Sequence, residues 1–412
     1  PRAFHEHKGD APTSEFARRV AVVPGVTGAC LLTRRDHLAA VGGLWEGYFY
    51  GLEDVDLCLA LAGVGKPIYY DGRAALFHHE FGTQAKVGTD RREYRMLNRA
   101  ELRDRWGPQL FRQVASSRVA GDHFWSRPPL RVHVGPVSRD PAAERLVNAL
   151  GSGADDPAVE ISRPPRLQEL AVRQPADISV SAAPGRPVRG ASVVSVALVG
   201  GDVDAWIGSE GFDDHDVVLV LDDAGAAAIG ERSVHRPHIV ADFSLDTIRE
   251  RVGAWLGSRR VALCVDLDPS GLDGPEPSLA RRVQRGLNRL DMPTRLFGSD
   301  GWTSHELTTA DVALHLLAGE DAATYSSQCN VLWPVATPGV AGVPLGYDVV
   351  ATGAAPWWTD TVEGAEVATL TAPSREEIDQ RVTELVRYLE ARLRDRPAVV
   401  ADGPAVRTPL PR

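Results

Sequence analysis

The sequence predicts an α/β protein with a different, smaller unit at its front, and three observations carry that prediction. Apolar runs of strand length recur between residues 130 and 351 with amphipathic helical segments between them. Those runs are apolar without alternation, as in Val217–Leu221 (VVLVL), which suits parallel strands covered on both faces. The leading stretch breaks this rhythm with one apolar helix that opens on carboxylates, behind a loop of glycines and aromatics.

A chain of 412 residues is long enough for roughly two to four domains, and 43% hydrophobic with 24% charged residues is a globular composition. The net charge of −10 argues against a general nucleic-acid binder, which carries a basic excess. No run approaches the roughly eighteen apolar residues of a membrane span, and no charged-then-apolar leader is present. Cys30, Cys58, Cys264 and Cys329 lie far apart in apolar surroundings without a C-x-x-C pair. They are expected to be reduced, buried thiols of a cytoplasmic protein.

Taken in order, Val20–Thr33 (VAVVPGVTGACLLT) is a β-rich run broken at Pro24-Gly25 and Thr27-Gly28, and Arg34-Arg35-Asp36 leads into a short helix. Gly42-Gly43 and Gly47 frame a loop carrying Trp45, Glu46, Tyr48, Phe49 and Tyr50, a composition suited to a binding surface. The helix behind it is predicted from Val55, Cys58, Leu59 and Ala62 at three- and four-residue spacing, with Leu57 and Leu61 beside them, so it is apolar over most of its circumference. Gly63 and Gly65 end it and Pro67 prevents its resumption. Glu53 and Asp54 fall at its N-terminal end, where free amides and the macrodipole favour negative charge. For an isolated Glu-Asp pair, capping is the ordinary role; the loop in front of this one suggests chemistry. Ala74–His79 alternates like a short strand, so that only one of His78 and His79 can face the acidic helix.

These residues resemble a family. VTGACLLTRRDHLAAVGGLWEGYFYGLEDVDLCLALAGVGKPIYYDGRAALFHHEFGT looks like the C-terminal half of the catalytic domain of family-2 inverting glycosyltransferases of the GT-A fold. The match lies in the T-G-A-C strand (Thr27–Cys30), the Gly-Gly turn, the Glu-Asp-x-Asp-Leu helix start (Glu53–Leu57) and the strand ending in His78. It extends into NRAELRDRWG (Asn98–Gly107), which is similar to the helix that closes such a domain. The resemblance implies that Asp54 is the general base that deprotonates the acceptor hydroxyl, and that Glu53 orients it or holds the acceptor. It implies that His78 ligates a divalent metal, Mn²⁺ or Mg²⁺, which neutralises the departing nucleoside diphosphate. Trp45, Glu46, Asp56, Thr27 and Gly28 would line the acceptor site. The implied donor is a nucleotide-sugar and the implied acceptor a glycan or lipid-linked glycan of cell-surface polysaccharide, with no nucleic acid, in the cytoplasm and in peripheral contact with the inner membrane.

The same family carries a donor-binding half with an Asp-x-Asp ahead of this region. Here the chain opens at Pro1, and is expected to be a piece of a longer protein. Asp202-Val203-Asp204 and Asp266-Leu267-Asp268 come after the Glu-Asp motif, the wrong order, and are read as turn residues at strand ends. A non-catalytic glycan- or nucleotide-binding assembly module is the alternative reading.

Residues 84–115 form the closing helix, on which Arg91, Arg95, Arg99 and Arg103 recur every four positions. The row is either a cationic strip for the phosphates of a lipid-linked acceptor or nucleotide, or a solvated face paired with Glu93, Glu101 and Asp104. Residues 116–129 read as a linker. Strands are then expected at Leu130–Val137, Ile178–Ser181, Val193–Val199 and Val217–Leu221, with helices at Ala142–Leu150 and Thr247–Leu256. A second cycle follows: Arg260–Asp266, helix Leu279–Leu290, Thr294–Phe297, Val312–Leu317, Asn330–Val335, Asp348–Ala351 and helix Arg375–Arg394. Tandem Rossmann-like units are the plan of a GT-B glycosyltransferase, and Asn330–Val335 with Gly346–Val350 is similar to GT-B-like domains fused behind family-2 domains. The expected domains are 1–127 (acceptor half of GT-A), 128–258 and 259–396 (two Rossmann-like units), and a disordered tail over 397–412.

Overall fold

The structure is a computed structural model that describes residues 11–49, 51–77, 91–120, 130–135, 148, 159–162, 176–187, 192–265, 279–298, 306–317, 324–325, 328–334, 347–351, 358–360 and 375–394. The chain forms two compact units, one over Pro1–Gln113 and one built essentially from Val114 to Ala391.

The first unit contains α1 (Glu15–Arg18), β1 (Val20–Val23), α2 (Arg35–Ala40), α3 (Glu53–Gly63), β2 (Ile68–Asp71) and most of α4 (Arg91–Ala120). β1 and β2 pair antiparallel, with Val22 opposite Tyr69. Its core is the small cluster of Tyr48, Leu59, Leu102 and Trp106, with Trp45, Leu52, Val55, Ala60 and Leu110 packed against it. Leu57, Cys58, Leu59 and Leu61 are all buried, as the periodicity of α3 predicts. The Tyr70 hydroxyl donates to the Ala17 carbonyl at 2.7 Å. Beside it Gly72 admits no side chain, because a Cβ there would stand 1.9 Å from the same oxygen.

Three expectations for this unit need correction. Thr27–Cys30 is not a strand: Gly28–Cys30 is a 3-10 turn, because the Thr27 hydroxyl accepts the Ala29 amide and folds the backbone over. Residues 74–77 form no strand; the strand lies earlier, at Ile68–Asp71, and the chain leaves it through Gly72. Cys30 is exposed, while Cys58, Cys264 and Cys329 are buried; all four are free thiols.

α4 runs on to Ala120, five residues past its predicted end, and Ala115 and Val119 in this extension are buried. The first compact unit ends at Gln113, inside α4, where an end at residue 127 was expected.

The second unit holds two six-stranded sheets. The first, in spatial order β4-β3-β5-β6-β7-β8, is β3 (Leu130–Val134), β4 (Val159–Ser162), β5 (Ala176–Ser181), β6 (Ser192–Val199), β7 (Val217–Val220) and β8 (His238–Ile239), all parallel. The second, in order β10-β9-β11-β12-β13-β14, is β9 (Val261–Val265), β10 (Thr294–Phe297), β11 (Val312–Leu317), β12 (Cys329–Pro334), β13 (Val349–Ala351) and β14 (Trp358–Asp360). Only β14 runs antiparallel. Each sheet places its second strand on one side of the first and its third on the other, so both are Rossmann-like and share one topology. Helices α5 (Val203–Ile207), α6 (Asp223–Arg232), α7 (Leu245–Gly257), α8 (Leu279–Arg289) and α9 (Arg375–Arg394) accompany them.

Every residue of β7 and of β9 is buried, which explains the unalternating sequence of such strands. Burying a Val, Leu or Ile fully is worth about 1.5–3 kcal/mol, so strands of this kind hold most of the unit's stability. On the helices Ile248, Val252, Leu256, Val283, Leu287, Val382, Leu385 and Leu389 are at most 1% exposed.

The two sheets of this unit are joined by a polar seam. Arg295 of β10 grips Asp216 with two bonds, Nε to Oδ1 at 2.6 Å and Nη2 to Oδ2 at 2.7 Å, and also donates to the Val193 carbonyl. Asn288 of α8 donates to the Val234 carbonyl, and Arg285 and Arg289 bond the Gly230 carbonyl at the last turn of α6. Asp216 precedes β7 and Val193 begins β6, so the first sheet meets its neighbour at the amino ends of its strands.

Candidate functional site

The expected site residues gather around the start of α3, where the backbone is unusual. Gly51 and Leu52 are both left-handed, with φ of +84° and +77°. Leucine rarely adopts that conformation, at a cost of about 1 kcal/mol, and it is held by the packing of Leu52 against the core cluster. This turn sets Glu53 and Asp54 at the helix entrance with no side-chain cap on the first turn from Leu52.

Asp54 is fixed by two backbone amides. Its Oδ2 accepts from Gly28 N–H at 2.8 Å and its Oδ1 from Val55 N–H at 2.8 Å. The first bond spans 26 residues and ties the Thr27-Gly28 turn to the helix entrance. A Cβ at position 28 would lie 3.3 Å from the Asp54 Cβ, so glycine allows this approach. Each carboxylate oxygen keeps a second lone pair after these bonds, and Asp54 remains partly exposed. Glu53 stands beside it, half-buried, and its Oε2 is a buried acceptor with no donor in reach among the described residues.

Asp56 has a different place from the one expected of it. It is 2% exposed and lies in the core rather than on an acceptor pocket. Its Oδ2 takes bonds from the Tyr48 hydroxyl at 2.9 Å, Arg105 Nε at 2.8 Å and Trp106 Nε1 at 2.6 Å, while its Oδ1 takes Arg105 Nη2 at 3.3 Å. Buried and bonded through both oxygens, this carboxylate is shut off from a ligand; it pins the aromatic loop and α4 onto α3. Burial beside this negative charge drives the Tyr48 hydroxyl pKa far up, so Tyr48 stays a donor.

Trp45 is half-buried and rigidly held. Its Nε1 donates to Glu101 at 2.9 Å, and the Arg105 guanidinium sits 3.8 Å over its ring. Gly47 makes room for this indole, since a Cβ there would come within 2.2 Å of Trp45 Nε1. Asn98 of α4 donates to the Gly51 carbonyl at 2.9 Å and so holds the left-handed turn. Glu46, Thr27 and Gly28 are exposed around the entrance, the Thr27 hydroxyl being engaged with Ala29. His78, the expected metal ligand, lies outside the described residues, as do His79 and Tyr50.

The structure thus brings Gly28 and its neighbour Thr27 to Asp54 and Glu53, holds Trp45 against α4 through Glu101 and Arg105, and turns Asp56 inward. The sequence did not announce that Arg105, Trp106 and Tyr48 converge on Asp56, although Arg105-Trp106 is an adjacent pair of polar-tipped anchors on an otherwise charged helix. Among the described residues no group of three His, Cys, Asp or Glu side chains converges to hold a metal ion. The described residues alone therefore do not assemble a cation site.

In the second unit, Asp202 caps α5 by accepting the Ala205 amide at 3.0 Å and Asp204 pairs with Arg232. The triplet expected to be a strand-end turn instead opens a helix, with Asp202 as its cap and Asp204 in its first turn. Asp266 and Asp268 lie outside the described residues, with the whole segment that leaves β9.

Comparisons with known proteins add little. No family model and no curated protein matches the chain. Among solved structures, the chain is similar at 12% identity to that of a proposed sugar-binding protein from Salmonella typhimurium LT2, over 69% of this chain and 98% of that one, with a TM-score of 0.16. A likeness of that size supports neither a fold nor a function.

Proposed function

We propose that the protein is a glycosyltransferase of the inverting, metal-dependent kind, moving a sugar from a nucleotide-diphosphate sugar to a glycan or lipid-linked glycan acceptor, in the cytoplasm at the inner face of the membrane. One observation carries the reading: at the helix entrance one carboxylate, Asp54, is locked by two amides while its neighbour, Glu53, leaves a buried oxygen without a donor. An acceptor hydroxyl supplies what this pair lacks. The attacking hydroxyl would donate to a free lone pair of Asp54, which takes its proton as the oxygen attacks the anomeric carbon and the bond from that carbon to the nucleoside diphosphate breaks, while a neighbouring hydroxyl of the same acceptor would donate to Glu53 Oε2. The amides fix Asp54 in one orientation, which confers the positional advantage of an intramolecular base. The indole of Trp45, immobilised by Glu101 and Arg105, would lie beside the acceptor ring.

A divalent cation, with His78 as its ligand, would stabilise the leaving diphosphate, and the donor would need a further binding surface. The second unit serves in this reading as a second α/β module.

The test is turnover of a panel of nucleotide-sugars by the full chain with Mn²⁺ or Mg²⁺, in the presence of glycan and lipid-linked acceptors. Release of nucleoside diphosphate that depends on acceptor supports transfer. Saturable binding of glycan or nucleotide without turnover of any donor would assign the protein instead to non-catalytic assembly modules.

A further inference from the structure

The strip Asp213-Asp214-His215-Asp216, directly ahead of β7, is where the first sheet receives the second. Asp213 accepts the Ser233 hydroxyl at 2.8 Å and the Val234 amide at 3.4 Å, and so presents the Val234 carbonyl to Asn288 of α8. Asp214 faces Arg281 of α8 at 3.5 Å and is paired from its own side by Arg186 at 3.2 Å. Asp216 is gripped by Arg295 of β10. Each carboxylate of the strip therefore serves the seam.

His215 stands among them and makes none of these contacts. It is 4% exposed, its Nε2 donates to the Gly185 carbonyl at 3.1 Å, and its Nδ1 is buried with no hydrogen-bond partner among the described residues. The rings of Trp206 and Phe212 enclose it, with centroids 6.3 and 6.4 Å away. Burial, with His235 adding to it, holds the His215 pKa down to about 4 against the pull of the Gly185 carbonyl, Asp216 and Asp214. His235 is buried in turn, its Nε2 on the Phe212 carbonyl, with Asp213 and Asp216 favouring a proton there and Arg281 opposing one.

The second sheet shows that this fold does not require a histidine at that place. Its register is the same: Val331 faces Val349 as Val196 faces Val217, and Asp348 accepts the Asn330 amide at 2.7 Å as Asp216 accepts the Ser195 amide at 2.8 Å. The residue ahead of Asp348 is Tyr347, a ring that stays uncharged. Of the two equivalent positions, the one at the seam holds the titratable ring.

We propose that the strip is an acid-released latch: protonation of His215 loosens Asp213–Asp216 and lets α8 and β10 part from the first sheet while both sheets stay folded. A proton on Nδ1 finds no acceptor in the closed seam and finds water once the strip swings out, so acid favours the open form. A ring that titrates near 6.5 when open and near 4 when closed makes the opening constant rise about 20-fold between pH 7 and pH 5. That window lies above the ordinary aspartate value of about 3.9, so the carboxylates of the strip keep their charge across it.

The experiment is hydrogen exchange of the full chain at pH 7, 6 and 5, corrected for the intrinsic effect of pH and read peptide by peptide. Protection is expected to fall together over residues 213–216 and 233–236, whose amides are bonded within the strip, while Val217–Val220 and Val261–Val265 keep theirs. H215Q, neutral throughout and still able to donate to the Gly185 carbonyl, is expected to hold the strip's protection level from pH 7 to pH 5. H315Q, which removes a buried ring from β11, is expected to leave the strip's response as it is. Constant protection of the strip in the unaltered chain, a loss shared equally by the strands of both sheets, or an unchanged response in H215Q overturns the proposal. The first two outcomes are read on the unaltered chain, so they decide even where a variant fails to fold.

Discussion

Asp54 and Asp56 are two residues apart, carry the same functional group and differ in every other respect. Asp54 is at the entrance with lone pairs to spare, and Asp56 is inside with four donors around it. Removing Asp56 would strand the Arg105 guanidinium and the Trp106 and Tyr48 donors in the core. Asp56→Ala is therefore expected to lower stability by about 3–5 kcal/mol, measured by urea denaturation. A loss well below 1 kcal/mol would mean that the network is not the clamp it is taken for. The sequence showed the acidic cluster but could not sort its members. Which carboxylate points inward is decided by Arg105 and Trp106, about fifty positions downstream, and no local pattern encodes that convergence. The left-handed Leu52 was equally invisible, since it is tertiary packing that holds a leucine there.

Elements were legible where one force set them. Thr294–Phe297, Val312–Leu317 and Arg375–Arg394 were predicted with their observed bounds, because a continuous apolar run or a strong amphipathic period needs no further context. Missed were β4, β8 and β14, none longer than four residues, the short helices α1 and α5, and α6, whose DAGAAAIGER has too few large apolar side chains to show a period. The T-G-A-C turn was misread as a strand for want of the Gly28–Asp54 bond that fixes its conformation. The seam between the sheets had no sequence signal either, and its strength can be measured. Burial would raise the Asp216 pKa, but the Arg295 charge and bonds outweigh it and hold the carboxyl below its usual range. Asp216→Ala leaves Arg295 partly buried with only the longer 3.7 Å contact to Glu306 as an ion pair and should cost about 3 kcal/mol in thermal or chemical unfolding. The double replacement Asp216→Leu with Arg295→Met should recover much of that loss. Equal losses in single and double variants would show that the pair itself is not what joins the sheets.

At the scale of the whole second unit, two buried histidines make stability depend on pH. Burial, helped in the case of His215 by the neighbouring His235, lowers the pKa of His215 and of His315 to about 4. His315 is fully buried, bonded by Nδ1 to the Tyr347 hydroxyl at 2.6 Å. The unfolded chain binds protons on these rings near the ordinary histidine value of 6.5, before the native state does. Stability is accordingly flat above that value, falls as pH drops from 6.5 towards 4, and levels off below, with each ring costing up to about 3 kcal/mol. Thermal melts across that window should show the fall, and His315→Gln, neutral throughout, should make it shallower while the His215 share remains. A melting temperature constant over the same range would contradict the assignment. The seam also has a consequence for ligands. Parallel sheets bind them at the carboxyl ends of the strands, and the first sheet presents its amino ends to its neighbour, so those carboxyl ends lie away from the seam.

The account rests on Asp54 as the group that takes the acceptor proton, and one replacement tests that most directly. Asp54→Asn keeps the size of the side chain and an acceptor oxygen for the Gly28 amide but removes the basic carboxylate. With a nucleotide-sugar and acceptor that the unaltered full chain turns over, the account predicts a fall in transfer of about 100-fold or more with donor binding unchanged; transfer at the original rate by the asparagine variant would contradict it.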